Sequence, residues 1–266
     1  MKNSTSRTRP AAVAGTFYAS DPQQLSAEIL HFLAQQPVSE STTPKAIIVP
    51  HAGYIYSGPI AASAYHLFVG KAQKIKQVIL LGPSHRVAFQ GVATTQADYF
   101  ETPLGNIKIN HSLSALAQSL AFVNHYEAAH EDEHSLEVQL PFLQTVLDDF
   151  ELTPLVVGDC DARDVAQLLE LLWGDEHTLI VISSDLSHYH SYQSAIDLDT
   201  QTSRAIEHLQ PEKIHYEDAC GRNPLNGLLT ITKQKNLQIK TLDLRNSGDT
   251  AGDKNKVVGY GAYAIY

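Results

Sequence analysis

The feature that most constrains this chain is a set of four short apolar runs rich in β-branched residues: 45–49 (KAIIV), 77–81 (QVILL), 152–157 (LTPLVV) and 178–183 (TLIVIS). Uninterrupted apolar strands must be covered on both faces. Helical patterns lie between them, over 59–68 and most clearly over 164–173, where Val165, Leu168, Leu169 and Leu172 share one stripe. The alternation predicts an α/β fold with a central, mostly parallel or mixed sheet flanked by helices on both faces. Gly105-Asn106, between two strand-like stretches, predicts a hairpin within 89–109. Residues 257–266 alternate and read as a closing strand. The polar, proline-bounded stretch 35–44 reads as a loop before the first core strand, so residues 1–266 are expected to form a single domain.

Composition narrows the function classes. The formal charge is -10 over 266 residues, with no clustered Lys/Arg run beyond short pairs and triples. A basic face for nucleic acid is not expected. No stretch reaches the roughly 20 apolar residues that span a bilayer. The start MKNSTSRTRPAAVAG lacks the apolar run of a secretory signal. The two cysteines, Cys160 and Cys220, make no disulfide framework, and the cytoplasm is the expected compartment. There is no phosphate-cradling GxxxxGK[ST], no GxGxxG after a strand, no GxSxG elbow and no HExxH. Nucleotide-dependent chemistry, serine hydrolysis and zincin-type proteolysis lose weight accordingly.

In open α/β sheets, ligands bind outside the carboxyl ends of the strands. Three of the four apolar runs are followed there by histidine: Pro50-His51-Ala52-Gly53-Tyr54, Gly82-Pro83-Ser84-His85, and Ser184-Asp185-Leu186-Ser187-His188-Tyr189-His190. Gly53, Gly58, Gly82 and Pro83 allow tight turns near a bound group. Neutral imidazole is both a common metal ligand and a general base near pH 7. Two histidines from separate strands can hold a metal while His188, oriented by Asp185, handles protons. The alternative for Asp185 is a turn or helix cap.

Cys220 sits in Ala219-Cys220-Gly221-Arg222-Asn223-Pro224, where Asn223 as N-cap and Pro224 as the first helical residue predict a helix start. A thiol before a helix N-terminus and beside arginine is biased toward thiolate. From spacing alone, a buried inert cysteine is the favoured reading. The acidic run Glu131-Asp132-Glu133 before His134 reads either as a helix start suited to the macrodipole or as part of the site. His130 and His134 have i, i+4 spacing, but no strong helix precedes them, so they are not expected to form a two-histidine metal face.

Several segments, in order, resemble the Memo family (mediator of ErbB2-driven cell motility), whose prokaryotic members are called AmmeMemoRadiSam system protein B. They are Ala14-Gly15-Thr16-Phe17-Tyr18, Pro50-His51-Ala52-Gly53-Tyr54, Gly82-Pro83-Ser84-His85, Asp132-Glu133-His134-Ser135, Ser183-Ser184-Asp185 with His188, and Cys220-Gly221-Arg222 with Pro224. The resemblance implies a fold similar to the class III non-haem iron extradiol dioxygenases. It implies a pocket in which His51, His85 and Cys220 stand where metal ligands would be, with the catalytic candidates Asp185 and His188 lining it. Cysteine in place of the dioxygenases' carboxylate favours copper, zinc or a redox-active iron.

The first function this implies is a metal-dependent, dioxygenase-like oxidoreductase. The alternative is a non-catalytic module that binds a small molecule, a peptide or a partner's side chain in the same pocket. Phe17, Tyr18, Tyr54, Glu133, His134 and Tyr189 would then form its walls. The system name further implies radical SAM and AMMECR-type partner proteins. Phe17 stands where animal members carry tryptophan, and Ser57 and Ser187 stand where they can carry cysteine. In the animal proteins this pocket is associated with phosphotyrosine peptides.

Overall fold

The computed structural model describes residues 6–37 and 42–266. Residues 1–5, and residues 38–41 of the expected loop, lie outside the described residues. In chain order the strands are β1 (Thr8–Arg9), β2 (Ala46–Val49), β3 (Gln77–Pro83), β4 (Val92–Thr94), β5 (Tyr99–Thr102), β6 (Gly105–Lys108), β7 (Val123–His125), β8 (Glu151–Val157), β9 (Thr178–Ser183), β10 (His188–His190), β11 (Ile239–Asn246) and β12 (Val257–Ile265). One sheet has the order β10-β12-β2-β9-β3-β8-β4-β7, with β11 also paired to β12. Its centre, β2-β9-β3-β8, is parallel. β12 and β4 join that centre antiparallel. The fold is therefore α/β with a mixed sheet whose parallel core is built from the four apolar runs.

Alternate residues of those runs feed two cores. Ile47, Val49, Val78, Leu80 and Val181 face the helices Pro22–Ala34, Tyr54–Tyr65 and Leu140–Val146. Ile48, Ile79, Leu81, Ile180 and Ile182 face the helices Ala162–Leu171 and Arg222–Gln234. Burial on both faces explains why these strands carry no polar alternation.

Three local expectations shift. The helix expected over 59–68 runs from Tyr54 to Tyr65, followed by a 3-10 turn at His66–Phe68, with Pro59 inside it. The hairpin forms between β5 and β6, but Thr102 pairs with Gly105, so Pro103-Leu104 makes the turn. Gly105 opens the second strand at φ 118, a value that favours glycine. The helix expected to be capped by Asn223 begins at Arg222 with Gly221 as its cap. Asn223 instead donates its amide to the Gly158 carbonyl at 2.8 Å, joining the helix to the end of β8.

Gly227 marks where the helices Ala162–Leu171 and Arg222–Gln234 meet. A Cβ there would stand 2.3 Å from Val165 Cγ1 and 2.4 Å from its Cβ. Replacing a helical glycine by alanine gains up to about 1 kcal/mol of propensity. Forcing a methyl into a packed core costs about 1–3 kcal/mol, and a β-branched neighbour on a helix cannot swing away. The clash wins. Gly227→Ala is expected to lower stability by about 1 kcal/mol or more in urea unfolding, and an unchanged or higher midpoint would contradict this packing.

Candidate metal centre

β9 lies between β2 and β3, and all three run the same way, with Val49 level with Ser183 and Leu81 level with Ile182. The chain therefore leaves all three strands at one edge, toward His51, His85 and Asp185. A fourth segment completes the group. The short helix His134–Glu137 packs on the end of β3, where a Cβ on Gly82 would meet Ser135 Oγ at 2.6 Å. Glycine at 82 is what admits that helix. One ligand atom from each of His51, His85 and His134 lies within 4.8 Å of the others, so the three can hold a metal ion. Their ring centroids are 5.1 Å (His51–His85), 5.4 Å (His51–His134) and 4.5 Å (His85–His134) apart.

The hydrogen-bond network fixes which nitrogens are free. Gln139 Nε2 donates to the Pro50 carbonyl at 2.9 Å, which can only accept, and to Ser183 Oγ at 2.8 Å. Ser183 spends its one proton on the Ser135 carbonyl at 2.6 Å. Toward His51 Nδ1, 2.8 Å away, Ser183 can therefore only accept. His51 carries its proton on Nδ1 and turns the Nε2 lone pair into the site. His85 repeats the pattern. Its Nδ1 donates to Glu133 Oε1 at 2.9 Å, and its amide donates to Glu133 Oε2 at 2.6 Å. A carboxylate behind a histidine is the arrangement that orients metal-binding imidazoles. His134 Nδ1 is buried without a hydrogen-bond partner, 3.5 Å from Glu133 Oε1.

Charge states suit ligation. Burial, reinforced by neighbouring His85, holds the His51 imidazole well below its usual range. Burial and the charges of His51 and His85 push His134 down to about 4. Both are neutral at pH 7, the form that donates a lone pair. Burial opposes ionisation of Glu133, but the hydrogen bonds from His85 and Ser135 prevail and bring its carboxyl down to about 2.

Cys220 Sγ stands 3.3 Å from His51 Nε2 and accepts from the Asp185 amide at 3.3 Å. Because His51 Nε2 carries no proton, the thiol donates to it. The thiolate bias expected from the helix start is overturned: burial, and then the charge of Asp185, push the Cys220 thiol up. The buried Asp185 carboxylate accepts from the His51 amide at 2.7 Å. It holds the turn after β2 and, among the described residues, forms no hydrogen bond to the His188 ring. His188 is half-buried on β10, near enough for its charge to act on His51 and on Asp185.

The expected pocket walls separate. Phe17 faces the site, its ring 4.8 Å from that of His134. Tyr18 and Tyr54 do not. They are 4% and 1% exposed, and their hydroxyls are spent on Glu137 and on the Val138 carbonyl, so they are core residues. Tyr189 is 72% exposed, in the left-handed region at φ 62. A cleft of about 820 Å³ opens beside His85 and Cys220, bordered also by Arg86, Phe89 and Tyr216.

Comparison with known proteins settles the family. The family described as Memo-like protein matches residues 9–264. A MEMO1 family protein of Aquifex aeolicus is 37% identical over 267 residues, covering 96% of this chain and 97% of its own length. One from Saccharolobus islandicus is 34% identical over 277 residues, covering 95% and 97%. The chain belongs to the Memo family. An uncharacterized protein from Escherichia coli K12, at 13% identity, superposes with a TM-score of 0.52 over 82% of this chain and 98% of its own, a likeness of fold.

In this Memo family chain, the residues that sequence reasoning leaves without a role are Ser183, Ser135 and Gln139. Ser135 and Gln139 have i, i+4 spacing on a segment otherwise apolar at Leu136, Val138 and Leu140. That pattern was the available signal. Glu133, by contrast, both caps the helix through the Ser135 amide at 2.8 Å and holds His85, so the two readings of the acidic run hold together.

The depressed Glu133 carboxyl has a pH signature. Its pairing stabilises the fold fully above its ordinary value of 4.5, and that stability is lost as pH falls toward 2. The shift corresponds to about 3 kcal/mol. Glu133→Gln is expected to be less stable than the parent at pH 7, with the gap closing between about pH 4.5 and 2. A pH-independent gap would contradict the assignment.

Proposed function

We propose that this Memo family protein is a metal-dependent oxidoreductase whose ion is held by His51 and His85, with Cys220 as the third ligand and His134 beside them. The observation that carries the reading is the pair of pinned imidazoles. Both His51 and His85 are tied through Nδ1 to an acceptor, so each presents its Nε2 for ligation, that of His51 once the Cys220 thiol gives up its proton. His134 supplies a third nitrogen within 4.8 Å of the other two, and the thiol 3.3 Å from His51 Nε2 is a softer donor beside them. This donor set fits iron, copper or zinc better than a hard cation. Bound there, an ion would supply a Lewis-acid or one-electron centre.

The chain's own residues do the rest. Asp185 fixes the His51 turn, and burial raises its carboxyl above the usual carboxylate range. His188, partly open to solvent, relays protons between that buried edge and water. Cys220 must lose its proton to ligate, so metal affinity rises with pH. The cleft beside His85 and Cys220 admits a small substrate.

The exposed Tyr216, 70% accessible on the border of that cleft, favours one second reading: a module that binds a peptide or a partner's side chain at the same opening. Radical SAM and AMMECR-type proteins are the partner classes that the family's system name points to. No helix among the described residues is long and apolar enough to cross a membrane, and a cytoplasmic setting is part of this proposal.

Metal analysis of anaerobically purified protein tests the reading. The parent is expected to carry iron, copper or zinc, and His51→Ala roughly tenfold less or lower. Equal content in the two would overturn it.

A further inference from the structure

A second polar cluster lies behind the histidines, and nothing in the proposed chemistry uses it. Glu137 is fully buried (0% exposed), and Arg9, from β1, is 5% exposed. The two form an ion pair. Glu137 also accepts from the Ala12 amide at 2.8 Å, the Val13 amide at 2.9 Å and the Tyr18 hydroxyl at 2.6 Å. Arg9 turns the rest of its fork on the other side of the site. Its Nε donates to the His130 carbonyl at 2.7 Å and its Nη2 to the Glu133 carbonyl at 2.7 Å.

Each end of the pair therefore grips one wall. The Val13 carbonyl, fixed through Glu137, accepts from the Phe17 amide at 2.9 Å, and the turn it closes brings the Phe17 ring against His134. The two carbonyls held by Arg9 bracket the turn that delivers Glu133 and His134 to His85. A buried ion pair is a poor source of stability, since packed apolar residues often replace one without loss. Apolar residues could not fix these two carbonyls, two amides and a hydroxyl in one geometry. The arrangement serves placement.

We infer that Arg9 and Glu137 are positioning residues, which together clamp Phe17 and the Glu133-His134 turn around the histidine cluster. For its effect on metal binding, this inference rests on the metal reading proposed above. Lysine at 9 keeps the charge but loses the planar fork, and Tyr18→Phe removes one bond while leaving the ion pair whole.

The test uses the full chain, with two readouts. The first, in metal-free protein, is the nuclear Overhauser contact between the Phe17 and His134 rings. The second is affinity for Co(II). Arg9→Lys and Glu137→Gln are expected to lose the ring contact and to bind Co(II) roughly tenfold or more weakly. Tyr18→Phe should shift both in the same direction by less. Leu229→Ala, a core truncation on the opposite face of the sheet, should lower the melting temperature and leave both readouts at parental values. A parental ring contact and parental Co(II) affinity in the folded positioning variants would overturn the inference. If Arg9→Lys and Glu137→Gln do not fold, Tyr18→Phe decides it. If the parent binds no Co(II), the metal reading fails and the ring contact alone decides the clamp.

Discussion

Everything at this site depends on the parallel pairing of β2 and β3 on either side of β9. That pairing brings three chain segments out of the sheet at one edge. The Ser183 hydroxyl, at the end of the middle strand, then ties them together. It accepts from His51 and from Gln139, and it donates to the Ser135 carbonyl. One oxygen therefore fixes the turn after β2, the helix that carries His134 and the tautomer of a candidate ligand. Ser135 in turn donates to the Pro83 carbonyl at 2.8 Å, which ties in the end of β3. The site is a property of the sheet edge and not of any loop alone.

The electrostatics follow from that geometry. Burial, and then the neighbouring imidazoles, disfavour protonation of His51 and His134, while His85 stands at the exposed side of the group. The Glu133 carboxylate is occupied by His85 and the Ser135 amide. It orients a ring without neutralising the cluster. Asp185 is spent on the backbone of His51. An edge where His51 and His134 are neutral and the Cys220 thiol keeps its proton offers lone pairs to a cation, and the chain's charge of -10 favours the approach of one.

Much of the fold was legible because burial on both faces leaves a strong trace. The run 178–183 matches β9 residue for residue, and 45–49 and 77–81 match β2 and β3 apart from an end residue or two. His51 and His85 could be found from the rule that ligands gather at strand ends. That rule does not reach His134, which arrives from a helix packed against Gly82 and was pointed to only by the acidic run before it and by the family resemblance. Tyr18 and Tyr54 were misleading for a related reason. An aromatic residue beside a site motif can wall a pocket or fill the core beneath it, and only the buried partners Glu137 and Val138 decide. The thiolate expected at Cys220 failed because a helix start and a nearby arginine were weighed without the burial that opposes them.

The most direct test of the account is anomalous X-ray scattering from crystals of the protein, scanned across the iron, copper and zinc edges. One peak is expected, about 2.0–2.1 Å from the Nε2 atoms of both His51 and His85. A peak elsewhere in the molecule, or none after growth in the presence of these metals, would contradict it.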